Sequence, residues 1–347
     1  MFQLSRRLAN KMYADEVEIY RKDFLNSFQG QSILITGASG LIGLPIVDIL
    51  MHLGNVEVFG LCRNETYAEQ VFSPYKRDEK FHLLIGNVDE FNFSAYHFNY
   101  IIHAASAADP RSIATDPVGI MKANIGGIDN LLDYGKNHSC RILYVSSGEI
   151  YGQDILHHGR FTEDDCGYID TKKPRSSYPE SKRAAETYCV SYKEEYGVDV
   201  VVARQCHVYG PTIKETDTRV LAEFILDAVN GTPIVLKSEG TQQRSLCYVF
   251  DAADAFLFLL QKANSGDFYN ITGGEDSVKR IRDMALIIGK IGKIDTEAKP
   301  VQMDDFNKYA GFDHAHLDSH KLFELGWRPK RTFEEGVAKT IAIMSEG

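Results

Sequence analysis

The chain lacks the cysteine patterns that mark a disulfide framework or a metal site. Its 347 residues include six cysteines, none of them in a CxxC pair or at a metal-like spacing from histidine. They are scattered along the chain, at Cys62, Cys140, Cys166, Cys189, Cys206 and Cys247. This distribution predicts free, mostly buried thiols and no metal site.

Long apolar runs and an excess of positive charge are also missing. No uninterrupted apolar stretch approaches the roughly 20 residues that cross a bilayer, and the first residues contain no apolar signal core. The formal net charge is −10, which argues against nucleic acid and anionic membrane surfaces as partners. We therefore expect a cytoplasmic protein with neither a membrane partner nor a nucleic-acid partner.

The chain does contain enough apolar residues, 44%, to bury the core of one large α/β domain or of two unequal lobes. From residue 32 onward, apolar strand patterns alternate with helical patterns. After the first strand, further strands are expected at residues 56–62, 81–85, 100–104, 141–146 and 198–204. This alternation predicts an α/β fold, a Rossmann-type doubly wound parallel sheet.

Changes in sequence texture divide the chain into three segments. Residues 1–28 place apolar side chains at helical intervals, which predicts an N-terminal helical extension that packs on the main domain. Residues 29–210 form the predicted Rossmann domain, to which the motifs described below assign NAD(P) binding and the catalytic residues. Residues 211–347, with shorter elements that include strands near 234–236 and 268–271, form a predicted smaller α/β C-terminal lobe, to which the family resemblance described below assigns mainly substrate binding.

A glycine-rich stretch, residues 33–43 (ILITGASGLIG), connects a β-branched apolar run to an apolar helical pattern. The spacing predicts a strand, a tight turn and a helix N-terminus that faces a pyrophosphate. The alternative is a purely structural turn. The residues predicted to contact the cofactor here are Gly37, Ser39, Gly40, Leu41, Ile42 and Gly43.

The strand after this turn ends in Cys62 and Arg63, where NAD-preferring sites usually place a carboxylate for the ribose hydroxyls. A guanidinium suits a 2′-phosphate, so the predicted cofactor is NAD or NADP, with a lean to NADP. The alternative for Arg63 is a solvated charge at a strand end. Further predicted cofactor contacts follow the next strands, at Asn64, Asn87, Val88, Ala104, Ala105 and Ser106.

Tyr178 and Lys182 lie four residues apart and therefore on one face of a predicted helix. The cationic neighbour, with the nicotinamide charge, favours a phenolate that accepts a hydroxyl proton, and Lys182 is also expected to bind the nicotinamide ribose. At the end of a preceding strand, Ser147 offers a hydroxyl to the same oxygen and Glu149 a carboxylate beside the same carbon chain. The alternatives are a strand-end cap for Ser147 and a surface acid for Glu149.

Six motifs, given at the end of this paragraph in chain order, resemble those of the extended short-chain dehydrogenase/reductases, in the NAD-dependent epimerase/dehydratase family. The resemblance continues through Arg244, residues 248–251, 269–270 and 325–327, and thus covers about residues 30–345. The six motifs are residues 36–43 (TGASGLIG), 103–105 (HAA), 124–127 (NIGG), 146–152 (SSGEIYG), 178–182 (YPESK) and 208–211 (VYGP).

The resemblance implies NAD(P) on the N-terminal sheet, a nucleoside-diphosphate sugar under the C-terminal lobe and hydride chemistry at sugar C4. In that setting Tyr178 is the base, Lys182 its partner, Ser147 the hydroxyl ligand and Asn124 a supporting polar group that counts among the cofactor contacts. The resemblance also implies a homodimer, formed through the helices that carry the Asn124 and Tyr178 motifs.

The same resemblance implies a set of substrate contacts. Arg219 and Arg244 align with positions that usually hold the nucleotide or its phosphates, as bidentate guanidinium groups do; the alternative is surface charge. His207 replaces the Asn that generally contacts the nucleotide diphosphate. The predicted substrate-binding residues are Ser147, Gly148, Glu149, His207, Arg219 and Arg244.

The position of Glu149 matches relatives that dehydrate or decarboxylate, whereas relatives that only epimerise C4 tend to lack this acid. Gly148 has no side chain to protonate a departing C6 hydroxyl, which weakens a 4,6-dehydratase assignment. Residues 175–183 (RSSYPESKR) resemble the corresponding run of UDP-glucuronate decarboxylases.

The predicted function is C4 oxidation of a nucleotide-linked hexose, followed by decarboxylation, dehydration or epimerisation with recycling of the coenzyme. One alternative is an NADPH-dependent reductase of nucleotide-linked 4-keto sugars, in which the coenzyme is consumed. A non-catalytic dinucleotide sensor is the alternative from another class of protein.

Overall fold

The computed structural model describes residues 2–106, 108, 110–154, 159–298 and 314–346. Residues 299–313 of the predicted C-terminal lobe therefore lie outside the described residues. The strands, in chain order, are β1 (Gln31–Thr36), β2 (Val56–Cys62), β3 (Phe81–Ile85), β4 (Tyr100–His103), β5 (Arg141–Ser147), β6 (Asp199–Gln205), β7 (His207–Tyr209), β8 (Ile234–Leu236), β9 (Gln243–Tyr248), β10 (Phe268–Ile271), β11 (Val278–Arg280), β12 (Thr296–Ala298) and β13 (His314–Ala315).

The α-helices are interspersed with these strands. In chain order they are α1 (Lys11–Arg21), α2 (Gly43–Met51), α3 (Glu65–Val71), α4 (Pro110–Thr115), α5 (Pro117–Asn137), α6 (Ser177–Tyr196), α7 (Val220–Asn230), α8 (Val249–Lys262), α9 (Ile281–Gly292), α10 (His320–Glu324) and α11 (Phe333–Ser345).

Seven parallel strands form the central sheet, in the order β10-β6-β5-β4-β1-β2-β3. The predicted doubly wound Rossmann arrangement is confirmed. The strand order reverses between β1 and β4, and in open α/β sheets this switch point is where ligands bind, beyond the carboxyl ends of the strands. The observed β2, β3, β8 and β10 have the predicted bounds. The predicted β4 and β5 differ from the observed strands by one residue at one end, and the predicted β6 is displaced by one residue at both ends.

Both faces of this sheet are buried. Ile33 and Ile35 of β1 belong to the apolar core on the face with α2 and α8, whereas Leu34 belongs to the core on the face with α5 and α6. Successive side chains of a strand point to opposite faces, so a strand covered on both sides must be apolar throughout. This explains the continuous apolar run before the glycine turn.

The strand at residues 268–271 was predicted in the C-terminal lobe, and that placement is wrong. It is β10, the edge strand of the central sheet, and it pairs in parallel with β6 so that Asn270 lies opposite Arg204. A short apolar strand carries no local signal for which sheet it joins. The boundary expected at residue 210 therefore does not follow the sheet.

The C-terminal lobe is connected to the central sheet through β7, which follows β6 almost directly. In a second sheet β9 pairs in parallel with β7 and β13 and antiparallel with β11. Beyond it, β8 and β12 form a two-stranded parallel sheet. Because β7 starts two residues after β6 ends, it places the lobe next to the carboxyl ends of the central strands.

The N-terminal segment is helical and packs on α2 through a buried ion pair. Arg7 donates to both carboxylate oxygens of Asp48, at 2.6 Å each, and both side chains are fully buried. The hydroxyls of Tyr13 and Tyr75 donate to the same carboxylate. A buried charge pair whose remaining lone pairs are satisfied in this way fixes the extension at one position.

Candidate active site

A cavity of about 400 Å³ lies at the carboxyl ends of the central strands and under the C-terminal lobe. The glycine turn forms one wall and the ends of β5 and β6 form another. The cavity brings together most of the predicted site residues: Gly37, Gly40, Leu41, Ile42, Gly43, Arg63, Ala104, Ser106, Ser147, Gly148, Glu149, Tyr178, Lys182, His207 and Arg219.

The glycine turn is packed too closely for larger residues. Gly37 has a φ of +69°, and a Cβ there would lie 2.9 Å from the Cα of Ala105. A Cβ on Gly43 would lie 2.4 Å from the carbonyl oxygen of Gly37, so the helix can approach the strand only without a side chain at this position. Ala104, whose carbonyl oxygen would lie 3.0 Å from a Cβ on Gly37, and Ser106 add small side chains to the cavity lining next to this turn. These residues fit a dinucleotide whose pyrophosphate lies on the first turn of α2.

Several of the residues predicted to contact the cofactor or the substrate are not part of the cavity lining. Among the described residues, the cavity lining does not include Ser39, Asn64, Asn87, Val88, Ala105, Asn124 or Arg244. Ser39 forms a hydrogen bond with the thiol of Cys62, and the side chain of Asn64 caps α3 by accepting from the backbone N–H of Tyr67. Val88 is buried in the core between the sheet and α5.

Asn124 is buried and connects three elements. Its amide oxygen accepts a hydrogen bond from Ser106 at 2.8 Å, and its amide nitrogen donates to Ser181 of α6 at 2.9 Å. The hydroxyl of Ser181 donates in turn to the backbone oxygen of Tyr178. Asn124 therefore acts on the position of the first turn of α6 and of the loop after β4.

Lys182 is almost fully buried on the inner face of α6. Its Nζ donates to the backbone oxygen of Val145 at 2.9 Å and lies 4.9 Å from the ring centroid of Tyr144. Burial lowers the pKa of Lys182 to about 8, although the nearby Glu186 carboxylate acts in the opposite direction. The ammonium is thus held at the floor of the cavity, beside Tyr178 in the lining.

Tyr178 is buried at the same end of the cavity, and its hydroxyl is hydrogen-bonded with Ser147. Burial, followed by the Glu149 carboxylate, raises the pKa of Tyr178 to about 12, while Ser147, Arg175 and Arg219 lower it. The chain's own groups therefore hold a neutral phenol at pH 7. The phenolate expected from the sequence relied on Lys182 and on the charge of a bound nicotinamide, and it did not count burial, which is the largest of these effects.

Glu149 is paired with a residue to which the sequence analysis gave no role. Nη2 of Arg175 donates to both carboxylate oxygens of Glu149, at 2.9 and 2.7 Å. Nε of the same arginine is buried and has no hydrogen-bond partner among the residues that the structure describes. Arg175 lies in a short 3-10 turn, Pro174–Ser176, directly before α6. Its sequence signal was its place at the start of the run 175–183, which gave it no role of its own.

The space next to Gly148 is filled by Leu317 from the C-terminal lobe. A Cβ on Gly148 would lie 2.7 Å from Cδ1 of Leu317, and Leu317 itself lines the cavity. A polar acid cannot occupy this position without displacing an apolar side chain. Leu317 is far from Gly148 in sequence, and no motif identified it.

Cations surround the part of the cavity under the C-terminal lobe. Arg219 is held by Asp217, to which its Nε donates at 2.9 Å, and Arg244 is largely buried. Burial first, then Arg244 and Arg219, lower the pKa of His207 to about 3. His207 is therefore neutral at physiological pH. Of the two guanidinium groups that act on it, Arg219 lines the cavity, where a guanidinium suits a diphosphate.

No group of three or more His, Cys, Asp or Glu side chains within the described part of the chain is arranged to bind a metal ion. Within the same residues, no helix combines the length and the apolar character needed to span a bilayer.

The model of the NAD dependent epimerase/dehydratase family matches residues 33–272. The chain belongs to this family, and it is an NAD(P)-dependent enzyme of the nucleotide-sugar epimerase, dehydratase and decarboxylase class.

Individual proteins of known name are similar to this chain in sequence or in structure. UDP-glucuronic acid decarboxylase 6 of Arabidopsis thaliana is 31% identical over 306 residues, 88% of this chain and 86% of the relative. UDP-glucuronic acid decarboxylase 1 of Danio rerio is 31% identical over 331 residues, 93% of this chain and 74% of the relative. The structure of UDP-N-acetylglucosamine 4-epimerase from Methanobrevibacter ruminantium is similar with a TM-score of 0.79 at 23% identity, covering 92% of this chain and 99% of that one. At that identity the likeness shows the fold.

Proposed function

We propose that this enzyme oxidises a nucleotide-linked hexuronic acid at C4, releases its C5 carboxylate as carbon dioxide and recycles the coenzyme. One observation carries the proposal: Ser147, Glu149 and Tyr178 line one end of the cavity while Leu317 fills the space where a dehydratase would need an acid. The similarity to two UDP-glucuronic acid decarboxylases supports it.

In the first half of this reaction, Ser147 and Tyr178 hold the C4 oxygen of the sugar. The chain's own groups leave Tyr178 neutral, so the positive charge of a bound oxidised nicotinamide would be needed to ionise it; the phenolate then takes the hydroxyl proton, and Ser147, which is hydrogen-bonded with Tyr178, keeps the sugar oxygen in place. When bound, oxidised nicotinamide supplies the hydride acceptor and a positive charge near the phenol. Lys182 adds a second cation, fixed by its bond to the Val145 carbonyl.

In the second half, the C4 ketone activates the C5 carboxylate. The bond between C5 and the carboxyl carbon breaks, carbon dioxide leaves, and the electron pair moves onto the C4 oxygen as an enolate. Ser147 and Tyr178 stabilise that oxyanion as hydrogen-bond donors. C5 then gains a proton that comes from solvent, relayed by the Glu149 carboxylate that Arg175 holds. Reduction at C4 then gives the nucleotide-linked pentose.

A dehydratase reaction requires an acid that protonates the departing C6 hydroxyl. Gly148 supplies none, and its neighbour Leu317 makes this corner apolar. Decarboxylation needs no such acid, because carbon dioxide leaves as a neutral molecule.

Mass spectrometry of the products from a panel of UDP, dTDP, GDP and CDP sugars tests the proposal. We expect a UDP-hexuronic acid to lose one carbon dioxide, with the absorbance of reduced coenzyme unchanged at the end of the reaction. A product of unchanged mass would contradict decarboxylation and support epimerisation.

The second candidate is reduction of a nucleotide-linked 4-keto sugar with NADPH. Arg63 in the cavity lining, at a strand end without a carboxylate, favours this candidate. Lasting, stoichiometric loss of NADPH absorbance on addition of a 4-keto sugar would establish it and exclude the recycling scheme.

We also propose a homodimer formed through α5 and α6, which pack against each other. Apolar side chains on these helices are exposed: Val118 and Met121 on α5, and Tyr188, Val190 and Tyr196 on α6. Light scattering should give twice the chain mass, and V118E should reduce it to the mass of one chain. A single-chain mass for the unmodified protein would contradict the dimer.

All six cysteines are free, which supports a cytoplasmic location.

A further inference from the structure

A third side chain of α6 follows Tyr178 and Lys182 at the same four-residue spacing. It is Glu186, which therefore lies on the same face of the helix. Lys182 donates to the backbone oxygen of Val145. Glu186 accepts a hydrogen bond at 2.6 Å from the hydroxyl of Ser146, the next residue of β5. The two side chains thus bind successive residues at one strand end, whereas the proposed reaction uses only Lys182.

Glu186 is also held from the neighbouring strand. Its side chain is 8% exposed, and Arg204 of β6 donates to both carboxylate oxygens, from Nε at 3.1 Å and from Nη2 at 2.9 Å. Nη1 of Arg204 donates to the hydroxyl of Tyr151 and to the backbone oxygen of Glu163. Because the guanidinium and the Ser146 hydroxyl bind it together, the Glu186 carboxylate is fixed in one position behind the cavity.

Lys182 has no direct counter-charge. Within the described part of the chain its ammonium makes no ion pair, and its bonded partner, the Val145 carbonyl, is neutral. The titratable groups around it are His103 on β4, Tyr144 on β5, and Tyr178, Glu186 and Cys189 on α6.

Four of these five groups are neutral at pH 7. Burial, and after it the Lys182 ammonium, lower the pKa of His103 to about 3. Burial raises the pKa of Tyr144, of Cys189 and of Tyr178 above the ordinary values. Glu186, in its ion pair with Arg204, is the acid of this set.

A buried ammonium depends on such an acid, because desolvation favours the neutral amine. Burial lowers the pKa of Lys182 to about 8, and the Glu186 carboxylate acts against this decrease. In a poorly solvated region a charge acts beyond hydrogen-bond distance. Glu186 therefore affects Lys182 without touching it.

We propose that Glu186 is a positioning residue of the reaction: the carboxylate that Arg204 and Ser146 fix behind the cavity is the counter-charge that keeps the Lys182 ammonium protonated beside Tyr178. The proposal rests on the role that the proposed function gives to Lys182. It concerns the charge of that side chain and is independent of what happens to the sugar.

The alternative is structural: Glu186 serves only to neutralise Arg204 in the core. E186Q and R204M break this ion pair from opposite sides, so under the alternative they have the same effect on Lys182. Under the proposal they differ, because R204M keeps the carboxylate and E186Q removes its charge.

The experiment follows the titration of Lys182 by NMR in the full chain labelled with [13Cε]lysine, without coenzyme or sugar. The signal of Lys182 is the one that is absent from K182M. We expect E186Q to lower the titration midpoint by at least about one pH unit and R204M not to lower it. E194Q removes an exposed acid from the same helix and is the matched control, with an unchanged midpoint.

A double variant covers the loss of stability in E186Q, which leaves the Arg204 charge unpaired in the core. E186Q/R204M removes both charges of the ion pair. Arg204 is not among the groups that act on the pKa of Lys182, so the double variant should also show the lowered midpoint.

The pH profile of turnover gives a second reading. If the reaction needs the charged form of Lys182, activity falls as the pH rises through the Lys182 midpoint. In E186Q this alkaline limb should move to lower pH by the same amount as the midpoint, and E186D, which keeps the carboxylate, should restore it. An alkaline limb at the same pH in E186Q and in the unmodified protein would contradict the role in the reaction.

The NMR titrations decide about the counter-charge itself. An unchanged Lys182 midpoint in E186Q and in E186Q/R204M would overturn the proposal, and so would a midpoint lowered equally by R204M and E186Q. If the midpoint shifts as expected but no nucleotide sugar reacts, the proposed function fails and the counter-charge assignment stands.

Discussion

The charged side chains at the two ends of the cavity differ in burial and in ion pairing. At the reacting end, Lys182 is 3% exposed and donates to a backbone carbonyl, and Glu149 is bound by Arg175. At the end next to β2 (the β2 end), Arg63 and Lys214 line the cavity and are exposed, and neither forms a direct ion pair within the described residues. Buried and partnered charges are held in one geometry, whereas exposed ones without a direct ion pair are free to meet a ligand's charge.

This difference separates two tasks. The reacting end must present its groups at fixed positions, and exclusion of water strengthens every electrostatic interaction there. The β2 end only has to discriminate by charge, which solvated side chains do well and which salt weakens. We therefore expect substitutions at the reacting end to change turnover and stability, and substitutions at the β2 end to change coenzyme affinity alone.

The strongest test of the reacting end is Y178F. Loss of the proton acceptor should reduce kcat by about 10³-fold, within the usual range for general acid-base catalysis. Coenzyme binding should remain, because the glycine turn and the β2 end are unchanged. Y188F, at an exposed tyrosine on the same helix, is the matched control and should keep full turnover. Turnover of Y178F at the unmodified rate would remove Tyr178 from the mechanism.

K182M tests whether the reacting end carries a stability penalty. Burial lowers the pKa of Lys182 from 10.5 to about 8, so the unfolded chain binds this proton more tightly than the native protein does. Below pH 8 the penalty amounts to about 3 kcal/mol, and it disappears as the pH rises from 8 to 10.5. K182M should therefore unfold at a higher temperature than the unmodified protein at pH 7, with the gap closing toward pH 10.5, and should lose turnover.

The K182M comparison has a matched control in K237M, which removes an exposed lysine and should change the unfolding temperature little at any pH. If K182M were less stable than the unmodified protein at pH 7, the buried ammonium would be stabilising, and the contrast between the two ends would fail in its energetic part.

G148A tests the contact with Leu317. The added Cβ would lie 2.7 Å from Cδ1 of Leu317, so we expect a loss of about 2 kcal/mol in the free energy of unfolding, as in overpacked cores. L317A should recover part of this loss in the double variant, because it removes the atoms that clash. Denaturant unfolding of the four proteins gives the coupling energy. Additive effects of the two substitutions would contradict the packing argument.

R175M is expected to have the smallest effect, a loss of about tenfold in kcat, because the variant keeps Tyr178 as the proton acceptor. Arg175 lowers the pKa of Tyr178, so its removal should raise that pKa. The pH at which activity reaches half its maximum should then move upward, because a higher pH is needed to ionise the phenol of Tyr178. R175K keeps a cation, so the pH profile of this variant should lie close to that of the unmodified protein. An unchanged pH profile in R175M would show that Arg175 does not act on the base.

Local sequence signals predicted most of the fold and the shared machinery of the site. The bounds of β2 and β3 follow from apolar runs between turn residues, and Tyr178 and Lys182 were placed together by helical spacing alone. Long-range partners were not predictable in this way. Nothing in residues 268–271 shows that they pair with β6, and nothing near Gly148 shows that Leu317 lies against it.

The electrostatics of the site show the same limit. The sequence paired Tyr178 with Lys182, but it showed neither the burial of the phenol, which is the largest effect on its pKa, nor the action of Arg175 and Arg219 on that pKa. Lys214 was missed because its position near Arg63 depends on the Thr212 bond to the glycine turn. In both cases a contact between distant segments decides the property.

In the proposed reaction one buried set of side chains holds the sugar and takes the hydroxyl proton, while the C4 hydrogen would pass as a hydride to the coenzyme and return to the same carbon. The most direct measurement is the mass spectrum of the product formed from UDP-hexuronic acid deuterated at C4, with coenzyme present at less than one equivalent per substrate. The account predicts a pentose product that keeps its C4 deuterium and has lost one carbon dioxide. A product without the label, or a reaction that stops when the coenzyme is exhausted, would contradict it.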